Sequence, residues 1–296
     1  MSARSWHPVG RAVRRAAVAL VVLLGMVPAI TPAPASAYAG NNDDIYVENF
    51  NGIARRPVVT GPGDDEHPSW SPGGRIAFDS NRDGDYDIYI VNSDGNNLVH
   101  FDGAGDDKDP AYSPDGRRIA FSSNRSGSSA IWVMNEDGSG LRVLTSGGII
   151  DSRPAWSPDG KRIAFTRYDS SSFNIWVVNA DGTGPTQLTR GSTDNDADWS
   201  PDGTKIVFGS GHTGITVMNP DGSGQHTIVA LGASPAWSPG GARIVYVHID
   251  TKTYADQLWV VAPDGSQNQP FGDQSGDCSE PAWNAGAGQV AFTYHP

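Results

Sequence analysis

The sequence predicts an all-β fold built from six copies of one short repeat. The clearest copy reads PAWSPDG at residues 154–160 and continues to Phe165. Aligned copies place an aromatic residue at positions 70, 112, 156, 199, 237 and 283, a period of about 40 residues. Because each period also contains enough β-rich segments for four strands, we expect a six-bladed β-propeller with four antiparallel strands per blade.

Each repeat opens with a tight hairpin. In the third copy an apolar stretch ends at Trp156, residues 157–160 supply turn chemistry, and residues 163–165 are apolar again. Pro158 presets φ at the second turn position, and Gly160 accepts the positive φ that closes the turn. A hairpin alone is marginal in water, so these hairpins need neighbouring blades. We therefore expect the aligned aromatic residues to be buried between blades.

The second half of each repeat supplies two further strands. In the third copy these are residues 174–179 and, after a turn at 180–184, an edge strand at 185–189, where Pro185 is tolerated. The middle strands are apolar on both faces, which requires cover on both sides. The sixth copy ends at Pro296 without this half, whereas residues 44–47 and 56–60 match it. The N-terminal strands should therefore complete the last blade and close the ring.

Residues 1–37 have the pattern of a secretory signal peptide, which leaves 38–296 for the propeller. A basic start is followed by an apolar core at residues 16–30 and by the small-residue sequence Ala35-Ser36-Ala37. A membrane anchor is the alternative, but the apolar run is short for a span and contains Gly25 and Pro28. A twin-arginine signal is disfavoured because Arg14-Arg15 lacks its usual flanking residues.

Charge and cysteine content restrict the possible partners. The chain has 21 basic and 33 acidic residues, and the first 37 residues hold four of the basic ones and no acid, so the remainder carries −16. Nucleic acid is therefore excluded as an expected partner. Cys278 is the single cysteine, so no intrachain disulfide forms. We expect a released, monomeric protein with no membrane span.

The repeat resembles that of the TolB-type, WD-repeat-like propellers. The resemblance rests on the tryptophan and SPDG turn, the Ile-Ala-Phe strand at 163–165 and the later Asp181-Gly182, and it covers residues 41–296. The periplasmic TolB protein carries an α/β domain before its propeller, so the resemblance concerns the propeller part only. It implies a secreted propeller that binds a protein, a glycan or a peptide through its channel face.

Propeller topology sorts the loops onto two faces. The turn face carries the hairpin turns and the turns between third and fourth strands, and the loop face carries the loops after second strands and between blades. Most acidic residues fall on the loop face. Our expected acidic-face residues are Asp64, Asp65, Glu66, Asp106, Asp107 and Asp194. Such a face would attract a basic protein, and the alternative is a set of merely solvated loops.

Six residues just before the innermost strands should surround the channel mouth. They are His67, Asp109, Arg153, Asp196, Ser234 and Glu280. Two functions remain open: a non-enzymatic binding module for an envelope or extracellular partner, and a propeller-type lyase or hydrolase whose site is assembled from channel-face loops. A purely structural accessory subunit is a third possibility. Because no Gly-x-Ser-x-Gly motif is present, the binding module is favoured.

One segment resembles a calcium loop, and no other cofactor is expected. Asp83, Asp85 and Asp87 place oxygen ligands at alternate positions, but Tyr86 replaces the expected glycine and no closing glutamate follows. An ordinary acidic loop is therefore the main alternative to a Ca²⁺ site. His67, His212 and His248 lie in different blades, so a shared metal would have to be bound across the channel.

Overall fold

The computed structural model describes residues 42–49, 55–147, 149–191, 193–211, 214–250, 255–272, 276–284, 286 and 288–295. The signal peptide predicted for residues 1–37 lies outside these residues. In the described part the structure consists of strands and connecting loops, and it has no helix that could span a membrane. The strands form six four-stranded antiparallel sheets, which confirms the predicted six-bladed propeller.

The first three blades follow one another along the chain. Blade 1 contains β3 (Asp65–Trp70), β4 (Arg75–Ser80), β5 (Asp87–Asn92) and β6 (Val99–Phe101). Blade 2 contains β7 (Asp107–Tyr112), β8 (Arg118–Ser123), β9 (Ala130–Asn135) and β10 (Arg142–Val143). Blade 3 contains β11 (Ile150–Trp156), β12 (Arg162–Tyr168), β13 (Phe173–Asn179) and β14 (Thr186–Gln187).

The remaining blades complete the ring. Blade 4 contains β15 (Asp194–Trp199), β16 (Ile206–Ser210), β17 (Gly214–Met218) and β18 (His226–Val229). Blade 5 contains β19 (Ala233–Trp237), β20 (Ile244–Ile249), β21 (Asp256–Val261) and β22 (Gln269–Pro270). Blade 6 contains β23 (Asp277–Asn284), β24 (Gln289–His295), β1 (Asp44–Asn49) and β2 (Arg56–Val59).

The two ends of the chain meet in blade 6, as predicted. β1 lies between β24 and β2 in an antiparallel sheet, with Tyr46 opposite Phe292 and Val47 opposite Ala291. Ile45 and Val47 are fully buried in the cluster that also holds Phe292. Hydrogen bonds between the first and last strands therefore close the ring.

The fourth strand of blade 3 is shorter than predicted. It covers Thr186–Gln187 rather than residues 185–189, because Pro185 has no N–H to donate to β13. The chain stays close beyond it, since Leu188 N–H donates to the Ile175 carbonyl at 2.8 Å. Blade 3 is also extended at its other end, where β12 runs to Tyr168 and β13 begins at Phe173.

The aligned aromatic residues pack between neighbouring blades. Trp70, Tyr112, Trp156, Trp199 and Trp237 are each less than 9 % exposed, whereas Trp283 is partly exposed. The Trp156 indole N–H donates to the Ala111 carbonyl of the preceding blade at 3.1 Å. Trp283 makes the equivalent 3.1 Å bond to Ala236. Burial of these rings, with interblade hydrogen bonds at two of them, holds adjacent blades in register.

Candidate functional site

The six predicted channel-mouth residues lie within the six innermost strands, at the same kink, and not just before these strands as predicted. In every blade the pairing of the first two strands shifts by one residue at this point. The residues adopt positive φ values of 42° to 54°, which side-chain-bearing residues rarely do. Together they are His67, Asp109, Arg153, Asp196, Ser234 and Glu280. The kink turns these side chains into the channel, where the structure brings them into contact.

His67 is surrounded by carboxylates. Its Nδ1 lies 3.0 Å from Asp79 Oδ1, and its Nε2 lies 3.1 Å from Asp109 Oδ1 and 2.9 Å from Glu280 Oε2. Burial alone would lower the pKa of His67, but the charges of Asp79, Glu280 and Asp109 outweigh it and raise that pKa well above its usual value. His67 is therefore an imidazolium at neutral pH, held by ion pairs from three blades.

Arg153 links the other half of the ring. Its Nη1 donates to Asp196 Oδ1 at 2.6 Å, and its Nη2 lies 2.8 Å from Glu280 Oε1. Ser234 Oγ then donates to the second oxygen of Asp196 at 3.1 Å. Glu280 thus bridges the two cations, and the six side chains form one continuous network across the channel. This network acts as a charged partition at the loop-face end.

A cavity of about 410 Å³ occupies the channel on the other side of this partition. The six ring residues line one end of this cavity. The rest of its wall consists of prolines, small residues and the aligned aromatic rings, and it reaches the hairpin-turn prolines Pro114, Pro201 and Pro239. Asp198 directly precedes the aligned aromatic residue of blade 4 and lines this cavity. The other five blades have serine or alanine at this position of the repeat. Burial raises the pKa of Asp198 to about 6, although the N–H groups of Trp237 and Trp199 oppose the shift.

Three of the expected acidic-face residues are buried, so the loop face differs from the prediction. Asp65, Asp107 and Asp194 are at most 5 % exposed. Asp65 accepts a 2.6 Å hydrogen bond from Arg82, and Asp107 pairs with Arg125. Asp194 accepts a backbone N–H from Gly191 at 3.2 Å. These carboxylates hold the loops of their blades together and contribute little to the outer surface.

The arginine partners form a feature that recurs in blades 1 to 3. Each lies at or just after the end of the second strand, pairs with an acid on the first strand and lies over two aromatic rings. Arg167, for example, pairs with Asp151 and lies 5.2 Å from the ring centre of Phe165 and 4.8 Å from that of Trp176. The sequence carried a signal for this feature, because an acid and an arginine 16 to 18 positions apart occur in three successive repeats.

The other three expected acidic-face residues lie nearer the surface. Asp106 is exposed and accepts a hydrogen bond from the Asn124 amide at 3.1 Å. Asp64 is half-buried and has the equivalent 3.1 Å contact with Asn81. Glu66 is half-buried, with Lys108 Nζ 3.8 Å away, and burial raises its pKa to about 7. Further exposed acids on this face in blades 1 to 3 are Asp83, Asp85, Asp102 and Asp169.

The extended end of blade 3 adds an apolar patch to the loop face. Tyr168 and Phe173 stack with ring centres 4.7 Å apart at the tip. Ile149, Ile150 and Phe173 are 38–49 % exposed, which is unusual for such large side chains. The repeat pattern did not predict this patch, because polar residues 169–172 separate its two aromatic residues in the sequence.

Two groups of metal-ligand type occur in the described residues. One consists of Glu66, His67 and Asp79 in the channel, and the other consists of Asp83, Asp87 and His100 at the edge of blade 1. Of the remaining histidines considered above, His248 stacks on Trp259 with ring centres 4.4 Å apart. His212 lies outside the described residues. His67 and His248 are the two of these three histidines that the structure describes, and they do not share a metal-ligand group.

Fold and site together define a six-bladed β-propeller whose channel is crossed by a charged partition. The TolB β-propeller domain model matches residues 35–231 and 105–287, so the chain belongs to the TolB β-propeller domain family. This confirms the predicted resemblance. No curated protein sequence matches the chain.

Similar solved structures agree with this assignment. A structure described as putative TolB from Agrobacterium tumefaciens is 26 % identical, with a TM-score of 0.74 over 86 % of this chain and 98 % of its own. TolB from Acinetobacter baumannii is 22 % identical, with a TM-score of 0.69 over 83 % and 67 % of the two chains, and it shares the fold. An oligogalacturonate lyase in complex with manganese is 12 % identical, with a TM-score of 0.57 over 84 % and 78 %, and shares the fold alone.

Proposed function

We propose that this protein is a secreted, non-enzymatic binding module that docks a basic envelope or extracellular protein on its loop face. Membership of the TolB β-propeller family supports a protein-binding role. The signal-peptide pattern at residues 1–37 supports export. A glycan or peptide ligand at the same face is the broader alternative. The observation that carries the proposal is the combination of unneutralised acids and an apolar patch on blades 1 to 3.

The loop face of blades 1 to 3 is negatively charged because most of its bases are already in ion pairs, whereas several of its acids are not. Among the described loop-face residues of blades 1 to 3, Lys108 and four arginines already lie beside acids of the same protein, whereas the exposed Arg190 in the loop that leaves blade 3 is in none of the ion pairs. The exposed acids, by contrast, have no lysine or arginine partner in the described residues; they are Asp83, Asp85, Asp102, Asp106 and Asp169. A basic partner would be steered toward this surface. The apolar patch at Phe173 supplies the desolvated contact that a lasting complex needs.

The charged partition argues for docking on the loops rather than insertion through the channel. His67 and Arg153 are both engaged in ion pairs with acids from other blades. A segment passing this level would have to break those pairs at considerable cost. The same engagement disfavours the alternative of a lyase or hydrolase site in the ring, since His67 and Arg153 are held as cations by their ion pairs and cannot act as general bases.

The test begins by capturing envelope proteins on residues 38–296, then purifying each captured protein and measuring its association rate. The loop-face variant Asp85→Asn/Asp102→Asn/Asp106→Asn removes three exposed acids. Its control is Asp181→Asn/Asp221→Asn/Asp264→Asn, with the same charge change on the turn face.

Raising the ionic strength from about 0.01 to about 0.15 M shortens the Debye length from about 30 to about 8 Å. We expect a steep fall in association rate for the wild type and the control, and a shallow fall for the loop-face variant. Phe173→Ser should mainly accelerate dissociation. Equal salt dependence in all three proteins would contradict the proposal and leave the loops as solvated surface.

A further inference from the structure

Asp83, Asp87 and His100 converge at the outer edge of blade 1. Asp83 lies in the loop between β4 and β5, Asp87 begins β5, and His100 lies on the edge strand β6. His100 Nε2 is 3.1 Å from Asp83 Oδ2 and 2.9 Å from Asp87 Oδ2. The three ligand atoms all lie within 4.8 Å of one another. Two acids of the segment that resembled a calcium loop, Asp83 and Asp87, therefore belong to this group. Its third member is His100 and not Asp85.

Neighbouring groups orient Asp87 and His100. Asp87 is buried, and its Oδ1 accepts the Gly103 N–H at 3.0 Å, which directs Oδ2 toward His100. The His100 ring lies flat on Tyr89, with centres 4.4 Å apart and planes 3° from parallel. Such outer contacts are what holds ligands in place at protein metal sites.

The geometry points to a divalent transition-metal site, with Zn²⁺ as the best-fitting ion. One imidazole and two carboxylates are all ligands that Zn²⁺ uses in proteins, and their charge of −2 matches the ion. Tetrahedral ligands at zinc distances stand roughly 3.3 Å apart, so small side-chain movements suffice. Ca²⁺ fits less well because it prefers oxygen ligands only. The Asp83 and His100 side chains are 39 % and 34 % exposed, which leaves a fourth position open to solvent.

The other group, Glu66, His67 and Asp79, does not support a metal site. In the channel, both nitrogens of His67 already contact carboxylates, and these ion pairs keep the imidazole protonated. An imidazolium has no lone pair for a metal. For the blade 1 group the competing arrangement is a His100 side chain that bridges Asp83 and Asp87 by direct contact without metal, and a Zn²⁺ titration distinguishes the two.

The experiment is a calorimetric Zn²⁺ titration of residues 38–296 after dialysis against a chelator. We expect one equivalent to bind, with at least tenfold weaker binding for His100→Gln and for Asp83→Asn. Asp85→Asn should bind as the wild type does, since Asp85 is the neighbouring acid outside the group. His226→Gln, which changes an exposed histidine on blade 4, is the second control.

Cobalt provides an independent measurement. Co²⁺ in a tetrahedral site should give intense visible absorption in the wild type and in Asp85→Asn, and Zn²⁺ should abolish it. Asp83 is exposed, so Asp83→Asn tests the site even if His100→Gln folds poorly. Absence of saturable Zn²⁺ binding in the wild type, or binding unchanged in Asp83→Asn and His100→Gln, would overturn the proposal in favour of the metal-free bridge.

Discussion

Arg167 donates two hydrogen bonds to the carboxylate of Asp151 inside blade 3. Its Nε donates to Oδ1 at 2.6 Å and its Nη2 donates to Oδ2 at 2.7 Å, and both side chains are less than 10 % exposed. Removing one partner leaves a buried charge, so Asp151→Ala should lower the free energy of unfolding by about 3–5 kcal/mol. Chemical denaturation measures this loss. Lys161→Ala, which removes an exposed 4.0 Å pair with Asp159, should cost less than ~0.5 kcal/mol. Equal effects would show that burial does not govern these pairs.

Trp156 tests the packing between blades 2 and 3. Trp156→Ala empties a largely buried site and should cost about 3–5 kcal/mol in denaturant unfolding. Trp156→Phe keeps an aromatic ring but loses the 3.1 Å bond to Ala111, so its cost should be smaller. The partly exposed Trp283 is the matched position, and Trp283→Ala should cost less than Trp156→Ala. A loss below ~1 kcal/mol for Trp156→Ala would contradict the assigned role of the repeat.

Ring closure is tested in blade 6. Deleting residues 38–60 removes β1 and β2 and exposes the edge of β24, so we expect oligomers in size-exclusion chromatography and a lower melting temperature. The point variant Val47→Asp places a charge in a fully buried position and should act in the same direction. Val143→Asp, on the exposed edge strand β10, is its control. A monomeric deletion variant with unchanged thermal stability would rule out this closure.

Asp198 predicts a pH dependence of stability. Its folded-state pKa is raised to about 6 by burial, so the folded protein binds this proton more tightly than the unfolded chain does. The stabilisation from that proton is present at low pH and is lost as the pH rises from about 4 to about 6. Asp198→Ser should not show this loss, because a serine can hold the Trp237 N–H as Ser69 holds that of Tyr112 at 2.9 Å.

The measurement for Asp198 is the free energy of unfolding at several pH values between 4 and 7. Relative to the wild type, Asp198→Ser should gain stability across the window from about 4 to about 6. The exposed turn residue Asp221 has a lowered pKa, held down by the Ser223 hydroxyl, so Asp221→Ser should show no such gain. Parallel pH profiles for the wild type and Asp198→Ser would mean that Asp198 keeps its ordinary pKa.

The repetition of the sequence explains why the fold and the channel ring were predictable. In each of the six aligned copies the channel residue stands three positions before the aligned aromatic residue. The positions of His67 and its five equivalents therefore follow from the alignment of the repeats. The charges on the loop face were harder to predict, because periodicity shows on which face Asp107 lies but not that Arg125 folds back onto it. Asp79 and Asp198 also escaped prediction. Both replace small or neutral residues of the repeat, and only the three-dimensional arrangement shows what each one contacts.

The pairing of β1 with β24 also determines the order in which the molecule can be assembled. The two partners stand at opposite ends of the chain, so this contact has the largest sequence separation in the ring and the highest loop-closure entropy. During synthesis β1 is made before the other strands of the propeller and lacks its partner until β24 is made. High contact order of this kind slows folding and leaves an unpaired strand edge exposed meanwhile. The synthesis of β24 therefore controls when the propeller becomes resistant to aggregation.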